Sequence, residues 1–276
     1  MNFVTRSLFL SSRRCRTPLY CPLTTSTKAG SNSKNSEKIN NLSPNGPKKI
    51  RTIQAIMQER KQRKDPLPKH IGLKEADIMI IQTEAQLNYA LKMLSSTSII
   101  GLETETRSVY DKEIPVVGPH LVQLATSTKS FLFGIKDRNV KDEISMDQMR
   151  LGLQSILEDK KIRKVGMGLG NDLASLKNKL NIIPNNVIDL SLELRKPGEK
   201  ELLSTRKIVA HVLGLQFVKD VNVAKSNWAR NPIHYTAAQI IFAGNQPHIA
   251  VKVFEEWQIE QKKAAATAEY VASKAL

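Results

Sequence analysis

The sequence has only two cysteines, Cys15 and Cys21, and both lie near its amino terminus. The rest of the chain therefore has no disulfide framework, which suits a reducing compartment. Long apolar runs are missing too: no stretch reaches the roughly 18 uninterrupted apolar residues of a membrane-spanning helix, so we expect no membrane span. Hydrophobic residues still make up 41% of the 276 residues. That fraction is ordinary for a soluble globular protein and can bury a real core.

Acidic residues are absent from residues 1–36, which are rich in Ser and Thr and carry Arg6, Arg13, Arg14 and Arg16. This composition is typical of a mitochondrial transit peptide and predicts delivery to the mitochondrial matrix. A disordered basic tail is the alternative interpretation.

Positive charge is concentrated in the same region. Residues 1–64 hold 14 of the 42 Lys and Arg and only 2 of the 26 Asp and Glu, a net charge of +12 out of +16. The remaining residues carry only +4. The basic balance of the whole chain is therefore weak evidence for a nucleic-acid surface.

The chain divides into four segments. The predicted transit peptide at 1–36 is followed by a basic linker with a short helix at 37–70, a folded domain at 76–257 and a helical tail at 258–276. The Asn, Ser, Lys, Gly and Pro content of residues 29–49 is that of a linker. The short helix is predicted at 50–64, and the Pro-containing residues 65–68 end it.

Short apolar runs alternate with amphipathic segments in the folded domain. Strands are predicted at 78–82, 99–105, 121–126, 130–135, 164–167 and 187–190. Helices are predicted after a Thr83 cap, at 151–158, at 172–180 and over most of the chain up to 260. This order implies an α/β fold with a sheet covered by helices.

Two carboxylates, Glu103 and Glu105, stand two residues apart at the end of the second predicted strand. Strand geometry sends both to the same face. Two like charges held side by side repel unless water or a cation separates them. The pair is therefore a candidate site for Mg²⁺ or Mn²⁺, although an exposed Glu-x-Glu on an edge strand is the common alternative.

A third carboxylate, Asp172, follows the predicted strand at 164–167 and a Gly-rich turn. Taken alone, Asn171 or Asp172 is explained by helix capping. Three acids on strand ends and an adjoining helix are also what a two-metal phosphodiester site requires, because several carboxylates must converge on the ions.

Five ordered segments make the chain similar to a known family. They are GLETETR, GPHLVQLATSTKSFLF, LQSILEDKKIRKVGMGLGNDLASLKNKLNI, FVKDVNVAKSNWARNP and TAAQIIFAGNQPHIAVKVF. In order and spacing they resemble the DEDD-superfamily 3′–5′ exonuclease domain, in its ribonuclease D and Werner-exonuclease branch. The resemblance covers about residues 76–257. It implies an α/β, ribonuclease H-like mixed sheet flanked by helices, and hydrolysis of RNA or DNA from the 3′ end.

The resemblance also implies site residues, and here the match is uneven. The first motif, Asp-x-Glu in the family, is Glu103-Thr104-Glu105, and the second-motif aspartate is Asp172. These three acids are the implied metal ligands. Phe242 and Gln246 stand where the third motif has a tyrosine and an aspartate. Phe242 lacks the hydroxyl that helps to orient the attacking water, and Gln246 offers only a neutral carbonyl oxygen.

Pro247 directly follows this altered motif. Within a helix it removes one backbone donor and pushes against the carbonyl of Ala243, at a cost of about 3 kcal/mol or more. The sequence therefore predicts that the local helix starts late, kinks or breaks.

The segment before the third motif supplies candidate nucleic-acid ligands in Lys225, Asn227 and Arg230. Scattered Lys and Arg are more often a solvated surface. Trp228, in the same segment, is interpreted as core rather than as a platform for base stacking.

Three functions remain open. The eroded third motif favours a protein that binds single-stranded RNA or DNA, with impaired or absent exonuclease activity. An active metal-dependent 3′–5′ exonuclease is the first alternative, and a non-catalytic protein-interaction scaffold is the second. Family resemblance settles fold, whereas function depends on the site.

Overall fold

A computed structural model describes residues 66–107, 118–136, 144–195, 198 and 201–274. The predicted transit peptide, the helix at 50–64 and the linker up to residue 65 lie outside these ranges. None of the helices in the described ranges has the combination of length and apolar character needed to cross a membrane.

Six strands form one mixed sheet in the order β1-β4-β3-β2-β5-β6. They are β1 (Ile78–Ile81), β2 (Ile99–Glu105), β3 (Leu121–Ala125), β4 (Ser130–Gly134), β5 (Arg163–Gly166) and β6 (Val187–Asp189). β3 is antiparallel to β2 and to β4. The β1–β4, β2–β5 and β5–β6 pairs are parallel. Each strand agrees with its predicted position to within one or two residues.

Helices connect and cover the strands. They are α1 (Glu84–Ser95), α2 (Met146–Leu157), α3 (Gly170–Ser175, continued by a π turn over Leu176–Leu180), α4 (Leu190–Glu193), α5 (Thr205–Val212), α6 (Val221–Ala224) and α7 (Ala237–Lys274). Short 3₁₀ turns occur at Glu75–Asp77 and Pro232–His234.

Local sequence explains where the longer helices begin. Thr83 caps α1 as predicted, and it forms a reciprocal capping box with Gln86. Ser145 and Gln148 form the same box at α2, so this helix starts five residues before the apolar run that predicted it. Thr236 accepts from the backbone N–H of Gln239 at the start of α7.

The two faces of the sheet pack against different helices. Ile100 and Leu102 of β2 belong to a cluster with residues of α1 and α2, including Leu94 and Leu153. A second cluster joins β5 to α5 and α7, and a third joins β1, β3 and β4 to α7 and the fully buried Trp228. The predicted mixed sheet flanked by helices is thus confirmed.

The expectation that the chain starts its last helix late or breaks it at Pro247 is wrong. α7 runs without interruption from Ala237 to Lys274 with Pro247 inside it. Residues on both sides of the proline, from Ala243 to Val251, are buried. Packing against the sheet stabilises this segment and outweighs the local cost of one missing hydrogen bond.

Candidate active site

The first two acids lie on the face of β2 that meets α7. Gly101, Glu103 and Glu105 alternate along the strand and so share one face. A Cβ placed on Gly101 would collide with the backbone of Pro247 in α7. Glu103 and Glu105 therefore share one face, as their spacing predicts, and this face of β2 packs against the third-motif segment of α7.

Asp172 is brought to the same strand end by its own hydrogen bonds. Its Oδ1 accepts from the backbone N–H of Thr104 at 2.8 Å and from the Thr104 hydroxyl at 2.7 Å. Leu169 is the N-cap residue of α3, and no side chain caps that helix. The capping explanation for Asn171 and Asp172 is therefore wrong.

Asp189, at the end of β6, fixes the turn that precedes Asp172. Its carboxylate accepts from the N–H groups of Gly168 and Leu169, each at 2.8 Å, and from that of Ser191 at 2.9 Å. Gly168 and Leu169 immediately precede α3, so these hydrogen bonds fix the backbone at the start of that helix.

Electrostatics show that the acids form one cluster. Burial raises the pKa of Glu103 well above its usual range, and the neighbouring Asp172 and Glu105 raise it further. Burial raises the pKa of Glu105 to about 7, and Asp172 adds to that shift. Burial also raises the pKa of Asp172, against the effect of its bonds to Thr104. Crowded carboxylates of this kind favour protonation or a nearby cation.

Lys219 is the cation that the fold places beside this cluster. Its charge lowers the pKa of both Glu103 and Glu105, opposing the effect of burial. The Nζ atom lies 5.5 Å from the centre of the Phe242 ring, which is within the range of a cation–π interaction.

The third-motif side chains lie in packed surroundings. Phe242 stacks on Trp228, with ring centres 5.9 Å apart and an interplanar angle of 28°. Gln246 is buried at 5% exposure, and its Nε2 has no hydrogen-bond partner among the described residues.

A second buried amide faces the same cluster. Gln123 of β3 is directly opposite Glu103 of β2, so their side chains share a face. Neither polar atom of this fully buried amide makes a well-formed hydrogen bond within the described part of the chain. The amide is nevertheless close enough to Glu105 to lower its pKa.

The candidate nucleic-acid ligands surround Trp228 in a separate segment. Lys225, Asn227 and Arg230 are exposed. Trp228 itself is fully buried, and its Nε1 donates to the carbonyl of Ala224 at 3.1 Å. The core interpretation of Trp228 is thus confirmed, because its ring faces are not available to a base.

A groove of about 430 Å³ opens beside Asp172. Its lining comes from α3, its π turn and the chain that flanks β2 and β3. The residues are Thr106, Gly118, Asn171, Ala174, Ser175, Asn178 and Lys179.

Comparison with known proteins identifies the class. A family described as 3′-5′ exonuclease matches residues 78–258, and the chain belongs to this family. It is also 28% identical over 167 residues to the mouse bifunctional 3′-5′ exonuclease/ATP-dependent helicase WRN, an alignment that covers 59% of this chain. The chain spans about a tenth of the length of that relative, of which 11% is covered.

Solved structures agree with the fold. The Trypanosoma brucei RNase D complex with RNA U12 has a TM-score of 0.55 at 19% identity, covering 65% of this chain and 61% of that one. The Aedes aegypti Nibbler EXO domain has a TM-score of 0.53 at 17% identity, covering 71% and 93%. At this identity the likeness shows the fold alone.

Enzymes of this family normally use divalent metal ions. The carboxylate oxygens of Glu103, Glu105 and Asp172 suit such ions chemically. Within the described ranges, no group of three or more His, Cys, Asp or Glu side chains is arranged so that it could hold a metal ion as it stands. Oδ1 of Asp172 already accepts two hydrogen bonds from Thr104, and the Gln246 side chain is neutral.

Sequence reasoning missed three residues of the site. Thr104 and Asp189 act through hydrogen bonds to distant parts of the chain. Lys219 acts through its charge on Glu103 and Glu105, which lie more than 100 residues away in sequence. The alternation of side chains along β2 places Thr104 on the other face of the strand from Glu103 and Glu105. It does not indicate a hydrogen bond between Thr104 and Asp172. No local pattern marks Asp189 or Lys219.

Proposed function

We propose that this chain is a nucleic-acid-binding protein of the 3′-5′ exonuclease family in which hydrolysis is impaired or absent. The substrate class is single-stranded RNA or DNA. The observation that carries the proposal is the state of the third motif, where Phe242 and Gln246 replace a tyrosine and an aspartate.

The chemistry at these two positions supports loss of activity. Phe242 has no hydroxyl with which to orient a water molecule. Gln246 contributes no negative charge, so the cluster has three carboxylates where the family pattern has four. A two-ion mechanism needs enough anionic ligands to hold both ions against their mutual repulsion.

Two features support retained binding of nucleic acid. The groove beside Asp172 is lined by Lys179 and by the amides of Asn171 and Asn178, which can contact phosphate and sugar. Lys225 and Arg230 add exposed positive charge near Trp228. The T. brucei relative was solved in complex with RNA.

The test is a 3′-end degradation assay on single-stranded RNA and DNA carrying a 5′ label. We expect little degradation in Mg²⁺ and at most slow trimming in Mn²⁺, whose coordination geometry is more forgiving. Robust degradation in Mg²⁺ that is abolished by Asp172→Asn would contradict the proposal and establish the active-exonuclease alternative.

Binding is measured separately, in EDTA, by fluorescence anisotropy at several salt concentrations. Affinity should fall with salt as phosphate contacts release counterions. Lys225→Gln combined with Arg230→Gln should weaken binding, whereas the exposed Lys161→Gln, which lies between α2 and β5, should not. No detectable binding at low salt would favour the protein-interaction scaffold.

A truncated chain that starts at Asp65 shows how much residues 1–64 contribute to binding. Its binding should show a shallower salt dependence than the full chain, because residues 1–64 carry +12 of the +16 net charge. Equal salt dependence for the two chains would mean that residues 1–64 make no phosphate contacts.

We propose that the protein is delivered to the mitochondrial matrix, because residues 1–36 are rich in Arg, Ser and Thr and contain no acidic residue. A fluorescent protein fused after residue 36 should be imported into mitochondria. A cytosolic or nuclear signal would contradict this localisation.

A further inference from the structure

We infer that Lys219 is a built-in cation of the acidic cluster, which competes with divalent metal ions for Glu103 and Glu105. The inference goes beyond the proposed function, since it concerns cation binding whether or not the domain holds nucleic acid. It rests on where the ammonium is held and on the charge that surrounds it.

The backbone of Lys219 is fixed from two sides. Its carbonyl accepts from Nη2 of Arg206 at 2.9 Å. The next residue, Asp220, caps α6 by accepting from the N–H groups of Asn222 at 2.9 Å and Val223 at 3.2 Å. Anchored backbone on both sides limits the directions that the Lys219 side chain can take.

The ammonium lies over the half-buried ring of Phe242, 5.5 Å from its centre. Trp228 stacks on the same Phe242 ring, with ring centres 5.9 Å apart, and Tyr235 meets Trp228 edge to face at 5.3 Å. Phe242 occupies the third-motif position one helical turn before Gln246. The aromatic stack thus holds a positive charge on Phe242, a residue of the third motif.

The neighbouring charge is negative. Glu103, Glu105 and Asp172 can together carry three negative charges, and the Lys219 ammonium offsets one of them. Among the described residues, Lys219 makes no contact ion pair with either glutamate, so its effect is exerted through space. A fixed monovalent cation repels an incoming divalent one and lowers the charge available to bind it.

The experiment is a Mn²⁺ titration of the full chain at pH 7.5 without nucleic acid, with free Mn²⁺ measured by electron paramagnetic resonance. Wild type should bind Mn²⁺ weakly. Lys219→Met should bind it about tenfold more tightly, since it removes one positive charge that acts on Glu103 and Glu105. Lys219→Arg keeps the charge and should match wild type. Lys207→Met, an exposed lysine on α5, is the matched control and should also match wild type.

A carboxylate substitution added to Lys219→Met tests whether the extra Mn²⁺ binds at the acidic cluster. Adding Asp172→Asn to Lys219→Met should remove the gain, and Glu103→Gln should do the same. Circular dichroism checks that each variant is folded, and Lys219→Gln replaces Lys219→Met if the latter is not. Unchanged or weaker Mn²⁺ binding by the folded charge-removing variant would overturn the inference. So would a gain that survives both carboxylate substitutions.

Discussion

The backbone of Pro247 packs directly on Gly101, two residues before Glu103 on the same face of β2. A Cβ at residue 101 would collide with the carbonyl group of Pro247. The contact holds the third-motif segment of α7 against the strand that carries the first two acids. The proline that weakens the helix locally therefore lies where α7 packs directly on the sheet.

This contact predicts a large cost for Gly101→Ala. The methyl group meets backbone rather than a flexible side chain, so α7 or β2 has to shift, and we expect a loss of about 1–3 kcal/mol or more in the free energy of unfolding. Urea denaturation measures it. Gly170→Ala is the matched control, because a Cβ there meets nothing within 4 Å. A loss for Gly101→Ala no larger than the control's would show that the two elements do not pack this closely.

Restoring the third motif should raise activity. Phe242→Tyr with Gln246→Asp returns a hydroxyl and an anionic ligand, and we expect 3′-end trimming in Mn²⁺ to rise on the order of tenfold or more. Adding Asp172→Asn should abolish the increase. Because α7 is already continuous through Pro247, a further Pro247→Ala change should add little. No gain in the double variant would place the defect elsewhere in the site.

Stability without metal should depend on pH through Glu105. Its pKa is raised from 4.5 to about 7 in the folded chain, so the folded state keeps a proton that the unfolded state has lost. The free energy of unfolding should therefore fall as pH rises from 4.5 to 7. Urea denaturation in EDTA at pH 5 and 7.5 measures the change, and Glu105→Gln should reduce it. The same pH dependence in wild type and variant would contradict the assignment.

Lys164 is a fully buried lysine with a structural role. Its Nζ donates to the carbonyls of Asp159 at 2.6 Å and Ile162 at 2.9 Å, beyond the end of α2. Lys164→Met leaves both carbonyls without this donor and should cost about 1–3 kcal/mol at pH 7. The exposed Lys161→Met should cost little.

Lys164 should also make stability depend on pH, in the direction opposite to that expected for Glu105. Burial lowers the pKa of Lys164 from 10.5 to about 8, so the unfolded state binds more protons between these values. Wild-type stability should therefore gain relative to Lys164→Met as pH rises from 8 to 10.5. Parallel curves for the two proteins over this range would show that Lys164 titrates normally.

The sequence by itself determined the order of the elements and two of the motifs. Alternating apolar residues place Glu103 and Glu105 on one face of β2, and cap residues such as Thr83 set where helices begin. These are local effects, governed by backbone geometry and by hydrogen bonds within a few residues. The family resemblance likewise depends on five segments that are each contiguous in sequence.

Only the tertiary structure decided how the site is completed. The sequence predicted a late, kinked or broken helix at Pro247, yet the burial of residues 243–251 keeps α7 continuous. Asp172 accepts hydrogen bonds from Thr104 instead of capping α3. Lys219, in a distant segment, affects the charge of the glutamates through space. Such contacts join residues far apart in the chain, and their energies depend on burial and on neighbouring charges, which no local pattern encodes.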